Sequence, residues 1–156
     1  MEKNIKEDFL IQVETRVEDA RDESQEPERI QLMTRGSFEF RNGCFFISYQ
    51  ESEATGYDGC TTTLKINSDS RRVSMIRRGP ANAHLIIEKG IRHLCHYDTG
   101  MGSLTMGVAA DEIRHHLTPG EGGTACFSYA LDMDPVGQLS RNYVNIQVRP
   151  ADPRHK

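Results

Sequence analysis

The 156-residue sequence contains no tryptophan, and aromatic residues make up only 7% of it. Its apolar runs are short, such as Phe45-Phe46-Ile47, whereas a membrane-spanning helix needs roughly 20 apolar residues. An excess of basic residues is also missing, because 19 Lys and Arg face 23 Asp and Glu, for a net charge of −4. We therefore expect the protein to bind neither a membrane nor, through charge alone, a nucleic acid.

Sequence signatures of catalysis are missing as well. The chain has no G-x-S-x-G, no H-E-x-x-H and no Walker lysine, and Ser103 has no base that the sequence makes visible. Residues Met1–Asp8 lack the apolar core of a signal peptide, so a cytoplasmic location is predicted. Cytoplasmic thiols stay reduced, and we expect no disulfide among Cys44, Cys60, Cys95 and Cys126. No catalytic residue and no cofactor is assigned.

A metal site is the strongest alternative for the histidines and cysteines. The four cysteines contain no C-x-x-C pair. His93, Cys95 and Tyr97 alternate along one predicted strand and share a face, and His84 or His116 would have to supply a further ligand. Nothing in this spacing requires a metal, because such residues on strands mostly pack or form hydrogen bonds. We predict no metal ion.

The dominant sequence period is two, which is typical of half-buried β-strands. Apolar and polar residues alternate from Ile11 onward, and Asn42-Gly43 is a strong signal for a tight hairpin turn in which both residues have positive φ. Only Val108–Leu117 is ambiguous between a short helix and a strand, because Ala109, Ile113 and Leu117 recur every four residues. The predicted strands are Ile11–Glu18, Ile30–Phe40, Cys44–Gln50, Cys60–Asn67, Arg72–Arg78, His84–Glu88, Ile91–Asp98, Ser103–Ala109, Thr124–Asp132 and Arg141–Arg149.

This pattern predicts an all-β fold, an up-and-down antiparallel sheet that closes into a barrel and so removes its edges. We expect residues 1–156 to form a single domain with flexible ends at 1–8 and 150–156. Residues 1–29 hold ten acidic and five basic side chains. We interpret the acidic segment 19–29 as a solvated hairpin tip, although it could also recruit a partner.

The sequence also resembles the YwiB-like family of small bacterial proteins of unknown function. The resemblance spans about Gly36 to Val148 and leaves out the acidic hairpin and the tail Asp152–Lys156. It rests on Phe46-Ile47-Ser48-Tyr49-Gln50-Glu51-Ser52-Glu53, Gly56, Thr63-Leu64-Lys65, Arg77, Gly79, Tyr97-x-Thr99-x-x-Gly102-x-Leu104, Tyr129 and Asn142. It implies a calycin-like (lipocalin-like) closed antiparallel barrel of about eight to ten strands in a cytoplasmic bacterial protein. It implies no activity.

Arg77 is the most informative polar residue. It continues the alternation of Val73 and Met75, so it would face the barrel interior as a cation that needs an anionic partner. Alternatively, its position at the strand end lets it reach solvent or pair with a glutamate. Tyr97 and Thr99 share a strand face and carry hydroxyls that could bind the same anion as the guanidinium. Together with Tyr49, these residues form our predicted ligand-binding set.

Three functional classes remain open. The first is a barrel that binds a small, partly apolar molecule that can carry a negative charge; it requires a cavity of at least about 300 Å³. The second is an interaction module, such as a homodimer, with a filled barrel and an exposed apolar patch. The third is an enzyme with titratable groups converging at the barrel mouth. Fold analogy favours them in that order.

Overall fold

The computed structural model describes residues 8–20, 22, 24–98 and 102–151, and these form an all-β protein. Its ten strands are β1 (Phe9–Asp19), β2 (Glu28–Arg41), β3 (Cys44–Gln50), β4 (Thr61–Asn67), β5 (Arg72–Arg78), β6 (Asn82–Glu88), β7 (Arg92–Asp98), β8 (Ser103–Thr118), β9 (Gly122–Met133) and β10 (Gly137–Pro150). A short 3-10 helix at Glu53–Thr55 follows β3. No helix within these ranges is long and apolar enough to cross a membrane.

Every strand pairs antiparallel with its neighbour in the sequence, and β1 also pairs with β10. That last ladder runs from Phe9 opposite Pro150 to Asp19 opposite Ser140 and closes the sheet into a barrel. Closure leaves no open sheet edge, which is why strands this long are compatible with a stable fold. The predicted closed antiparallel barrel is confirmed.

The hairpin between β2 and β3 has the predicted turn. Asn42 and Gly43 adopt φ values of 53° and 76°, and the residues that flank them, Arg41 and Cys44, pair with each other. Two successive positive φ values match the right-handed twist of the flanking strands, which explains why this dipeptide sets the register of the hairpin.

The ambiguous segment Val108–Leu117 is a strand that belongs to β8. The pairing of β8 with β9 shifts by one residue between Ala110 and Glu112, so Asp111 is a bulge. Val108 is buried before the bulge, and Ile113 and Leu117 are buried after it. The extra residue changes the inward-facing positions from even to odd. Ala109 therefore lies on the opposite face from Val108 and does not share the inward face of Ile113 and Leu117, so the recurrence every four residues does not mark one face of the folded chain.

Both chain ends extend the barrel wall slightly further than predicted. The amide of Ala151 donates to the carbonyl of Asp8 at 2.8 Å, and Pro150 is the last residue of β10. The remaining parts of the predicted flexible ends, residues 1–7 and 152–156, lie outside the described residues. Residues 20–27 connect β1 to β2, and the interpretation of the acidic segment as a solvated hairpin tip stays a prediction.

Phenylalanine rings fill one end of the barrel. Phe38 lies between Phe9 and Phe45, with ring centroids 5.3 and 5.7 Å away, and Phe40 and His115 both contact Phe45. Phe38 and Phe45 are buried, whereas Phe40 is partly exposed at the outer end, so the rings form a packed plug at this end of the barrel. None of these five rings lines the space on the other side of the plug, where the polar residues of the interior lie.

Candidate functional site

Beyond the phenylalanine plug, the barrel encloses a cavity of about 330 Å³. Aliphatic and sulfur-containing side chains from six strands form its apolar wall: Val13, Val17, Ile30, Leu32, Leu64, Met75, Leu131 and Val144. Its polar lining consists of Thr15, Glu28, Tyr49, Glu51, Thr55, Tyr57, Arg77, Tyr97, Tyr129 and Asn142. An apolar chamber with a few grouped polar side chains is typical of small-molecule sites.

The barrel register brings the polar residues together. Across β3, β4 and β5, Tyr49 pairs with Thr62 and Thr62 pairs with Arg77. Arg77 then pairs with Ala83 on β6, and Ala83 pairs with Tyr97 on β7. Directly paired residues point to the same face of a sheet, so these five side chains form one row. The small Ala83 leaves space between Arg77 and Tyr97.

Arg77 is the centre of this row, and only 9% of its surface is exposed. Its Nη2 lies 3.4 Å from Oε2 of Glu51, a residue that is itself only 7% exposed. Its Nε donates to the Thr62 hydroxyl at 3.3 Å, and that hydroxyl donates to the same Glu51 oxygen at 2.5 Å. The guanidinium and the carboxylate are therefore joined both directly and through Thr62.

The loop after β3 covers the guanidinium. The Glu51 amide donates to the Cys60 carbonyl at 2.8 Å, which closes the loop at its base. Within it, the Ser52 hydroxyl caps the 3-10 helix by accepting from the Ala54 amide. The loop places the Tyr57 ring 3.8 Å from the Arg77 guanidinium carbon, in a cation–π contact.

Charges around Arg77 keep it protonated. Burial lowers its pKa, but the Glu51 carboxylate, with smaller effects from Tyr57, Tyr97 and Tyr49, raises it by more, and the net shift is upward. The pKa of Tyr97 is also raised, mainly by burial, although its hydrogen bond with Arg77 acts in the opposite direction. Arg77 therefore remains a cation throughout the physiological pH range.

Two further phenols face the cavity from deep inside the barrel. Burial raises the pKa of Tyr49 and of Tyr129 far above the usual range of tyrosine, so both hydroxyls are neutral donors. Each residue is less than a tenth exposed, as is Asn142. Among the described residues, neither phenol oxygen nor the Asn142 Oδ1 has a hydrogen-bond partner; the Asn142 amide nitrogen donates to Ser140. These three atoms open onto the cavity, where water or a ligand can serve as their hydrogen-bond partner.

The structure places three of the four predicted ligand-binding residues, Arg77, Tyr97 and Tyr49, on the cavity wall. The fourth, Thr99, lies outside the described residues. Of the two orientations considered for Arg77, it faces inward, yet it also pairs with a glutamate. Their role in binding stays a prediction.

Sequence reasoning missed Glu51, Thr62 and Tyr57. A signal existed for the first two: Glu51 continues the alternation of Tyr49, and Thr62 shares the parity of Leu64, which is buried. Tyr57 lies in a loop with no sequence period, so only the folded chain shows that it contacts Arg77.

Two of the residues considered as metal ligands, His93 and Cys95, make other contacts. The His93 ring nitrogen lies 2.9 Å from the Glu88 carboxylate, and the Cys95 sulfur accepts from the Ile86 amide at 3.3 Å. Burial also raises the pKa of the Cys95 thiol. In the described ranges, no three His, Cys, Asp or Glu residues are grouped closely enough to hold a metal ion.

A second concavity of about 380 Å³ lies on the outer barrel face and is lined by residues that include Glu14, Arg114, His116 and Asn145. Most of its side chains project outward from β1, β8, β9 and β10. None of the charged residues that line it is buried as Arg77 is, so we assign the candidate site to the interior.

Comparisons with known proteins agree with this architecture. A crystal structure of the ywiB protein from Bacillus subtilis superposes with a TM-score of 0.69 at 19% identity, covering 92% of this chain and 94% of the other. No curated protein matches the sequence significantly. A family model described as a domain of unknown function, DUF1934, matches residues 11–146. The chain therefore belongs to the DUF1934 family and has the calycin-like barrel fold that its resemblance to YwiB-like proteins predicted.

Proposed function

We propose that the barrel binds one small, partly apolar molecule, with the polar end of that molecule at Arg77 and the phenols around it. The observation that supports this proposal most strongly is the cavity into which Tyr49, Tyr129 and Asn142 direct polar atoms without partners among the described residues. A ligand with hydrogen-bonding atoms at one end and hydrocarbon at the other satisfies both the polar and the apolar part of the wall.

The cavity volume suits a small ligand. The volume of about 330 Å³ exceeds the minimum of about 300 Å³ that a ligand-binding barrel requires. It lies at the small end of the usual range of ligand pockets, roughly 300–1,000 Å³. The phenylalanine plug closes the other end, so an extended ligand has to project toward the loop that carries Tyr57. We therefore expect one bound molecule per barrel.

The interaction module is less well supported. It requires a filled barrel and a continuous apolar patch, whereas the exposed large apolar side chains are distributed over three strands and two turns: Met33, Phe40, Ile91, Leu94, Leu104 and Val136. Single exposed apolar residues are common on monomeric proteins. A homodimer and the cytoplasmic location both stay predictions.

The enzyme class has one observation in its favour, because titratable groups do converge on Arg77. The pKa values of Tyr49, Tyr97 and Tyr129 are all raised, as is that of Arg77. At neutral pH these groups hold their protons and donate hydrogen bonds, and a general acid–base pair would need pKa values near the working pH. The cluster is therefore better suited to binding than to proton transfer.

Native mass spectrometry of the protein purified from its own host tests the proposal. We expect a fraction of the protein to carry one retained small molecule. Val144→Phe places a larger side chain in the cavity and should abolish retention, whereas the same enlargement at the exposed Val136 should leave it unchanged. Absence of any retained mass, or equal retention by both variants, would contradict the proposal.

A further inference from the structure

We infer that Glu51 makes this cavity select a neutral, carbonyl-bearing molecule over a carboxylate, an inference that rests on the proposed function. The sequence identified Arg77 as a cation that could hold an anion. In the structure, a buried carboxylate from the protein already occupies that position, so the expected anionic ligand would compete with Glu51.

The charge on Arg77 is balanced before any ligand enters. Glu51 and Arg77 are both less than a tenth exposed, and Thr62 bridges them. The other charged residue on the cavity wall is Glu28, which is exposed and acidic, so the wall carries a net charge of −1. A ligand carboxylate would lose its hydration without meeting an unpaired cation, which is strongly unfavourable.

The polar groups that remain available are mostly donors. Tyr49 and Tyr129 direct neutral hydroxyls into the cavity, and the pKa shifts of both residues keep them protonated. A phenol donates readily to a carbonyl oxygen, which brings two acceptor lone pairs without a charge. The ligand should therefore carry a ketone, ester or amide group at its polar end.

An ammonium group fits this wall poorly. It would bring only donors to a surface where Arg77 and the phenols already supply donors, and it would be repelled by the guanidinium. The two acidic residues of the wall offset that repulsion only in part, because Oε2 of Glu51 accepts from both Arg77 and Thr62 and because Glu28 is exposed to solvent, which screens its charge.

Three probes with the same eight-carbon chain separate these ligand classes: 2-octanone, octanoate and octylamine. Tyrosine emission reports binding directly, because the protein has no tryptophan and four of its five tyrosines line the cavity. At pH 7 we expect wild-type protein to bind 2-octanone at least about tenfold more tightly than either charged probe, a difference of about 1.4 kcal/mol.

Glu51→Gln tests the assignment to one residue. It keeps the size of the side chain and removes its charge, so Arg77 becomes an uncompensated cation and the preference should reverse to octanoate by about tenfold. The matched control is Glu28→Gln, which makes the same change in net charge at the mouth and should keep the wild-type order. Arg77→Met leaves Glu51 uncompensated and should shift the preference to octylamine, which provides a second test if Glu51→Gln does not fold.

The outcomes separate this inference from the proposed function. Wild-type protein that binds octanoate or octylamine as tightly as 2-octanone overturns the inference and leaves the binding function standing. If none of the three probes binds but a host-derived molecule is retained, the inference is likewise overturned and the binding function still stands. Failure of the probes together with no retained molecule overturns both.

Discussion

Replacing Arg77 with methionine removes the guanidinium and keeps an unbranched side chain in the same place on β5. The substitution deletes the contact to Glu51 at 3.4 Å, the bond to Thr62 at 3.3 Å and the cation–π contact to Tyr57 at 3.8 Å. It also leaves Glu51 as a buried carboxylate without its cation.

The structure sets the magnitude of this effect. Removing one partner of a buried ion pair costs about 3–5 kcal/mol, mostly because the other charge stays buried. Glu51 borders a cavity that water can enter, so we expect the lower end of this range, about 3 kcal/mol. For a domain of 156 residues, each kcal/mol lowers the Tm by about 2–4 °C, and the Tm should fall by about 10 °C.

Denaturant unfolding of wild type, Arg77→Met, Glu51→Gln and the double variant measures the coupling between the two residues. The double variant removes both charges, so its loss of stability should be smaller than the sum of the single losses by at least about 1.5 kcal/mol. The control is Arg114→Met, which breaks a surface pair with Glu112 whose side chains are 64% and 56% exposed. That variant should change stability by less than about 0.5 kcal/mol.

Two results would refute this reasoning. Arg77→Met could cost less than about 1 kcal/mol, or the cycle could be additive within about 0.5 kcal/mol. Either result would mean that water stabilises the Glu51 carboxylate as well as Arg77 does, and that the ion pair contributes little to the free energy of unfolding.

Three further predictions concern the turns, the phenols and the thiols. Gly43→Val should destabilise the protein by about 1–2 kcal/mol, because a branched side chain is strained at the positive φ of this position. Gly36→Ala should cost more, because its Cβ would lie 2.2 Å from the Ser48 carbonyl oxygen. Urea midpoints that do not move would contradict both predictions. Burial raises the pKa of Tyr49 and Tyr129 above the ordinary tyrosine pKa of about 10, so the unfolded chain ionises first and the free energy of unfolding should fall as the pH rises above about 10. A free energy that does not change there, with tyrosinate absorbance appearing near pH 10, would show that these phenols are hydrated. Cys126 is half-buried and the other three cysteines are buried, so an alkylating reagent should label one thiol per chain quickly and three slowly, as mass spectrometry would show.

Local patterns in the sequence determined the fold. Alternation of apolar and polar residues identifies a strand from its own residues, and Asn42-Gly43 specifies a turn because the conformational preference lies in the dipeptide itself. Arg77 could be placed on an inward face by the same local parity. The one long ambiguity, at β8, arose where a bulge at Asp111 interrupts that parity, and a bulge depends on the partner strand.

The composition of the site depended on tertiary structure. Strand register across β3, β4 and β5 aligns Tyr49, Thr62 and Arg77, and register is a relation between segments that no single segment encodes. The partner of Arg77 is Glu51, 26 residues away, and the pairing arises only when β3 and β5 both join the barrel. Whether the barrel is hollow was also undetermined by the sequence, because the cavity is the space left when side chains from all the strands pack against one another, and that volume exists only in the folded chain.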